Sequence, residues 1–190
     1  MNGSVREPTY EFSKPNGENL LRELILYIAQ QCEGDVYFGA TKLNKILWLS
    51  DSASYAFYGE PITGVEYMKL EHGPAPRRLL PIKQMMLACG EIIERPRQIG
   101  RFTQQQVIAL REPDLKQFSG RDIATVDAMI KAVWGKTADE VSEMSHVRGW
   151  SLAGHKEAIP YEAIFISDEG VTARDEIRAK ELIEEHGWDV

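Results

Sequence analysis

Glu71, His72 and His146 are the residues of this sequence whose types could support acid–base or metal chemistry. Glu71 and His72 are adjacent, whereas His146 lies far along the chain. A carboxylate with two imidazoles can move protons or hold a metal ion when the fold brings them together. Nothing in their spacing requires such a site, and His72, before a Gly-Pro pair, is more typical of a hydrogen-bonded structural histidine. A small hydrolase or metal-binding enzyme therefore stays one hypothesis among others.

Other signatures of catalysis are missing from the sequence. It contains no Gly-rich dinucleotide or phosphate loop, no nucleophile elbow and no Cys-His pattern. Cys32 and Cys89 are the two cysteines, and their separation does not fit a zinc site. We interpret them as small apolar residues without a disulfide. The sequence therefore predicts no enzymatic activity, no cofactor and no bound metal.

Length and composition predict one globular domain. The chain has 190 residues, of which 43% are apolar and 27% charged. This composition is too apolar for a disordered protein, and the length is sufficient to bury a core. No apolar run approaches the ~20 residues of a membrane helix, and the first residues do not form a secretory signal. We therefore expect a cytoplasmic protein without membrane contact.

Charge is distributed unevenly along the chain, whose formal net charge is -7. The segment 162–190 carries nine acidic residues and three basic ones, whereas 77–101 carries six basic residues and two acidic ones. The basic segment is either a solvated face that balances the acidic one or a docking surface for an anionic partner. The acidic net charge argues against DNA as a partner. The basic residues are Arg77, Arg78, Lys83, Arg95, Arg97 and Arg101.

Apolar periodicity and turn residues predict a mostly helical α+β fold, with about six helices and a small antiparallel sheet of about three short strands. Thr41 and Thr137 are expected N-caps, the latter in a capping box with Glu140. Pro76 is expected at the first position of a helix, after a turn at 72–74. The predicted helices are 18–32, 42–58, 76–88, 121–134, 138–144 and 172–186. The predicted strands are 65–70, 91–96 and 102–110, the last two joined as a hairpin.

Lys42 and Lys45 lie on the predicted second helix beside its apolar stripe. Because lysine stems can cover apolar surface while the charged ends stay in water, we expect both ammonium groups to be solvated.

The order of several short segments resembles the Panacea domain, also called the SocA-like antitoxin domain. These segments are 42–51, 58–64, Tyr67 and 71–76, followed by Met144-Ser145-His146 and Trp150. The resemblance covers roughly residues 20–163. The residues that carry it are Lys42, Leu43, Lys45, Tyr58, Gly59, Pro61, Tyr67, His72, Gly73, Pro74, His146 and Trp150.

The resemblance implies an antitoxin of a bacterial or phage toxin–antitoxin system. Antitoxins of this family neutralise a cognate protein toxin, in some cases a toxic small alarmone synthetase, by direct binding. One branch of the family instead delivers its toxin to the ClpXP protease, so a proteolytic adaptor is the alternative. A homo-oligomer is compatible with either role.

The resemblance also divides the chain. Residues 1–16 are expected to be a flexible lead-in, 17–166 the Panacea domain, and 167–190 an acidic helix that either packs on the domain or faces a partner. Exposed residues around the motif are candidates for the partner surface, since arginine and tyrosine often carry interface energy. The competing interpretation is that they only specify the fold. The candidates are Tyr58, His72, Arg77, Arg78, Arg95, Arg97 and Arg101.

Overall fold

The computed structural model of the chain describes residues 7–145 and 148–166, and further along only the helical positions 177, 178, 180 and 181. Within 7–166 the fold is α+β, as predicted, with six α-helices, a three-stranded sheet and a two-stranded sheet. His146 and nearly all of the expected acidic C-terminal helix lie outside the described residues. The helices are α1 (Gly17–Gln31), α2 (Ala40–Tyr58), α3 (Leu79–Ala88), α4 (Gly120–Val133), α5 (Ala138–Ser145) and α6 (Arg148–Leu152). The strands are β1 (Tyr67–Leu70), β2 (Gly73–Pro76), β3 (Ile92–Ile99), β4 (Phe102–Ala109) and β5 (Ala158–Ile159).

Helices α1 and α2 form the centre of the core. In α1, apolar residues recur every three or four positions, and Leu21, Leu24 and Ile28 are completely buried. Helix α2 is buried along most of its length because α4, α5 and β2 pack around it. No helix in the described part of the chain combines the length and the apolarity needed to cross a bilayer.

The three-stranded antiparallel sheet has β1 in the middle, between β2 and β5. The predictions of a turn at 72–74 and of a helix starting at Pro76 were wrong. The turn lies at Glu71 and His72, Gly73–Pro76 forms β2, and α3 begins only at Leu79. Prolines are tolerated in β2 because an edge strand does not need every N–H for its ladder. The short strand β5 was not predicted.

Strands β3 and β4 form the predicted hairpin. Ile99 pairs with Phe102 across the two-residue turn Gly100-Arg101, and the pairing continues to Ile92 and Ala109. Strand β4 packs against α1, and β3 packs against α3, so the base of the hairpin is anchored in the core.

Of the two helix N-caps predicted from the sequence, one is confirmed by the structure. The Glu140 carboxylate accepts a hydrogen bond from the Thr137 N–H at 2.7 Å, which confirms the capping box. Thr41 is not a cap, since α2 begins at Ala40 and Gly39 occupies the cap position. A Cβ at residue 39 would lie 3.2 Å from the side-chain oxygen of Gln104, so close packing against the hairpin accounts for glycine there.

Part of the predicted lead-in is hydrogen-bonded to the domain. The Phe12 N–H donates to the Gly64 carbonyl at 2.9 Å, and the Thr9 N–H donates to the Glu162 carboxylate at 2.9 Å. These bonds attach the segment before α1 to the loop before β1 and to the 3-10 helix Tyr161–Phe165.

Candidate partner-binding surface

Lys42 and Lys45 do not extend into solvent, so the prediction of solvated ammonium groups was wrong. Their exposed fractions are 0% and 1%. Lys42 Nζ donates to a carboxylate oxygen of Asp35 at 2.5 Å and to the Lys136 carbonyl at 2.8 Å. The Asp35 carboxylate also accepts from the Tyr37 N–H at 3.0 Å. The Lys42 charge is therefore balanced inside the core, where it connects α2 to the segments before α2 and before α5.

Lys45 has a less complete set of partners. Its Nζ donates to the Pro74 carbonyl at 3.3 Å, and no carboxylate in the described part of the chain pairs with it. Burial lowers the pKa of this ammonium group to about 7. Gly73 lies against it, leaving no room for a side chain. Lys45 therefore joins α2 to β2 without exposing its amine.

Asp51 is the centre of a second buried polar group. Its carboxylate accepts from the Thr63 N–H at 2.8 Å and from the Tyr67 hydroxyl at 2.9 Å, and the Thr63 hydroxyl also donates to it. Burial raises the pKa values of Asp51 and Tyr67. Nearby, the Tyr161 hydroxyl donates to the Val65 carbonyl at 2.7 Å. These groups connect α2, β1 and the 3-10 helix, and none of them is open to a substrate.

The residues proposed for acid–base or metal chemistry are not gathered into a site by the described structure. Glu71 and His72 are both exposed in the turn between β1 and β2, and His146 lies outside the described residues. Over the described positions, no three His, Cys, Asp or Glu side chains are grouped in a way that could hold a metal ion.

The two cysteines differ in exposure, and both are free thiols. Cys32 is buried at the end of α1, and burial raises the pKa of its thiol to about 12. Cys89 is exposed at the end of α3, just before the hairpin.

Arg77 and Arg78 line a shallow depression of about 590 Å³ in front of α1. Arg77 Nε donates to the Glu66 carboxylate at 2.7 Å, and Arg78 Nε donates to that of Glu18 at 2.6 Å. The depression therefore carries both signs of charge. Both arginines remain accessible at its edge, and their role in partner binding stays a prediction.

Tyr58 and His72 do not line this depression. Tyr58 lies at the end of α2, where the Arg121 guanidinium carbon is 4.1 Å from the centre of its ring. His72 lies at the edge of a different cleft, beside the tip of the β3–β4 hairpin.

Three arginines of the predicted set belong to this hairpin. Arg95 and Arg101 are exposed and Arg97 is half-buried. Over the described residues, none of the three takes part in an ion pair. Next to them, Phe102 has 80% of its surface exposed. Sequence reasoning missed Phe102, although an aromatic residue directly after a Gly-Arg turn was a signal for an exposed hairpin tip.

Comparison with protein families gives a match over more than half of the chain. Residues 43–151, from the first turn of α2 into α6, match the family described as antitoxin SocA-like, Panacea domain. The chain belongs to the Panacea family. No curated protein matches the chain. Membership supports an antitoxin role, and with it a protein toxin as partner and a function that does not depend on catalysis.

The residues that carry the Panacea resemblance lie mainly inside the fold. Tyr58, Gly59 and His72 are exposed, and Trp150 is half-buried beneath the Lys69 ammonium, 4.5 Å from the ring centre. The buried members are Lys42, Leu43, Lys45, Pro61, Tyr67, Gly73 and Pro74. Among the described residues, the Panacea signature is therefore mostly a set of core contacts.

Proposed function

We propose that this Panacea protein is a cytoplasmic antitoxin that neutralises its cognate toxin by direct binding. The observation that carries the proposal is the burial of the polar signature residues in a protein of an antitoxin family. Lys42, Lys45 and Asp51 are enclosed in the core and bonded to their own chain, where they stabilise the fold. These buried residues cannot contact a partner, so binding would have to use residues on the surface.

Neutralisation by binding follows mass action. Toxin activity falls as the complex fills, and half of the toxin is blocked when free antitoxin equals Kd. A stable complex of standard size buries about 1,600 Å² in total, a small share of the surface of this chain. A toxic small alarmone synthetase is the toxin class we consider first, because the family resemblance includes such pairs.

The proposal is tested by expressing the chain together with the product of the adjacent reading frame. We expect the neighbour alone to arrest growth, the pair to restore it, and the two proteins to elute together at fixed stoichiometry. A harmless neighbour that does not bind the purified chain would reject the proposal.

The same experiment in cells that lack ClpXP distinguishes neutralisation of the toxin by contact from delivery of the toxin to the protease. Rescue that persists there, with toxin levels unchanged, supports blocking by contact. Rescue that is lost, with the toxin accumulating, would show that the protein is a proteolytic adaptor instead.

A further inference from the structure

A cleft of about 510 Å³ lies beside the tip of the β3–β4 hairpin. Ile99 and Phe102 form one wall, and the opposite wall comes from the first turns of α2 and α5. His72 and Tyr37 lie at its edges. A space of this size holds one large apolar side chain and part of the backbone on either side of it.

Phe102 is the most exposed large apolar side chain among the described residues, at 80%. The strand that carries it is fixed, because the Gln104 side-chain amide donates to the Val36 carbonyl at 2.8 Å and to the Phe38 carbonyl at 3.2 Å. An aromatic ring presented on a fixed strand loses little conformational freedom when it becomes buried in a complex. Exposed aromatic rings in such positions are typical anchors of protein interfaces.

The hairpin side of the cleft carries positive charge, whereas Asp139 in the first turn of α5 lines the opposite side. Side chains two residues apart on a strand share a face, so Arg95 and Arg97 lie on the same face of the hairpin as Ile99. Arg101 lies in the turn between Ile99 and Phe102. Helix α2 also points its N-terminus at the cleft without a side-chain cap, and a helix N-terminus carries partial positive charge.

We propose that this hairpin cleft is where the toxin docks, through an acidic segment that inserts one large apolar side chain next to Phe102. The inference rests on the proposed antitoxin function and adds the location and the chemistry of the contact. The three hairpin arginines form no ion pair among the described residues and therefore favour carboxylates on the toxin. The apolar wall formed by Ile99 and Phe102 favours an aromatic or branched aliphatic side chain.

The test measures the affinity of full-length variants for the purified product of the adjacent reading frame. Phe102→Ser is compared with Phe57→Ser, because Phe57 is equally exposed, at 78%, but lies at the end of α2 beside Tyr58. Arg101→Glu is compared with Lys116→Glu, because Lys116 is an exposed cation of another 3-10 helix, Leu115–Gln117, which does not line the cleft. Circular dichroism establishes that each variant is folded.

We expect Phe102→Ser to weaken toxin binding by at least about 10-fold, whereas Phe57→Ser changes it by less than about 2-fold. Arg101→Glu should lower the association rate and reduce the dependence of affinity on salt, while Lys116→Glu should do neither.

Three results would overturn the docking site while leaving the antitoxin function intact. These are full affinity in Phe102→Ser, an equal loss in Phe57→Ser, or a change of oligomeric state in Phe102→Ser with toxin affinity preserved. The last would assign the cleft to a second copy of this chain. Failure of the unmodified protein to bind the neighbour is a different result, since it rejects the proposed function itself.

Discussion

The ammonium group of Lys42 and the carboxylate of Asp35 meet at 2.5 Å inside the core, with side-chain exposures of 0% and 2%. Asp35 belongs to the loop before α2, and the Lys136 carbonyl completes the contact from the loop before α5. A buried pair of this kind gives little net stability over an apolar pair of equal size, but removing one partner leaves an unmatched charge in the core. The pair therefore makes the position of the α1–α2 loop dependent on Lys42.

Replacing Lys42 with methionine should destabilise the fold strongly. Met keeps the volume of the stem but leaves the Asp35 carboxylate buried without its cation, which costs about 3 kcal/mol. Urea denaturation at pH 7 measures this loss. The double variant Asp35→Asn with Lys42→Met removes both charges and should recover part of it. A double variant less stable than Lys42→Met alone would show that Asp35 stabilises the loop independently of the lysine.

Replacing Lys45 with methionine should instead stabilise the fold near neutral pH. The pKa of Lys45 is about 7 in the fold and near 10.5 when unfolded, so between these values the unfolded chain binds more protons. The wild type therefore gains stability as pH rises through this window, by up to about 1.4 kcal/mol per pH unit. Lys45→Met does not gain stability with pH in this way. Its stability advantage over the wild type should therefore be largest at pH 7 and shrink towards pH 10.

Urea denaturation of the wild type and of Lys45→Met at several pH values between 7 and 10 measures this difference in stability. If the two stability curves run parallel, the amine is not being deprotonated in the fold.

Gly73→Ala should be far more costly than Gly135→Ala. Both glycines have positive φ, 105° and 70°, so alanine is strained at either position. At residue 135 a Cβ meets nothing within 4 Å, whereas at residue 73 it would overlap Lys45 Nζ and lie 3.0 Å from Ser145 Oγ. We expect about 1 kcal/mol for Gly135→Ala and at least about 2 kcal/mol more for Gly73→Ala. Equal losses in thermal denaturation would contradict the close packing of Gly73.

Arg111→Met should weaken the fold by about 2 kcal/mol, because Arg111 donates to the buried Glu23 carboxylate at 2.7 and 2.8 Å and to Glu91 at 2.8 Å. Arg78→Met is the control. It removes an ion pair with Glu18 in which both side chains are more than half exposed, so it should cost less than about 0.5 kcal/mol.

The Arg111 contacts also predict acid sensitivity. Burial alone would raise the pKa of Glu23, but Arg111 and the Asp114 N–H outweigh it and lower the pKa below 4.5. Stability from this carboxylate is present above about pH 4.5 and is lost as pH falls through the lowered pKa. Arg111→Met should therefore lose less stability than the wild type between pH 5 and pH 3, when both are followed by circular dichroism.

Sequence patterns predicted the structure correctly where it depends on residues close together in the chain. The apolar spacing of α1, the Thr137–Glu140 box and the pairing of β3 with β4 as a hairpin depend on neighbours in the chain, and each was predicted correctly. Strand β2 was missed because Gly73, Pro74 and Pro76 favour turns locally, and only the pairing with β1 makes the segment extended.

The buried lysines were misjudged for the same reason. Lysine on a helix beside an apolar stripe is normally solvated, and the sequence does not show that Asp35, in the preceding loop, folds back against Lys42. The charge environment of the exposed candidate residues was also difficult to predict from the sequence. Adjacent arginines such as Arg77 and Arg78 suggest a free basic patch, but their glutamate partners come from separate segments of the chain.

The contrast between the two thiols gives this protein a natural attachment point for a fluorescent probe. Maleimide reagents require an accessible thiolate, so the unmodified chain should take up a single dye, at Cys89, while Cys32 stays unreacted until the protein unfolds. The dye would stand at the root of the hairpin, where its emission can report the arrival of another protein in real time without any engineered cysteine.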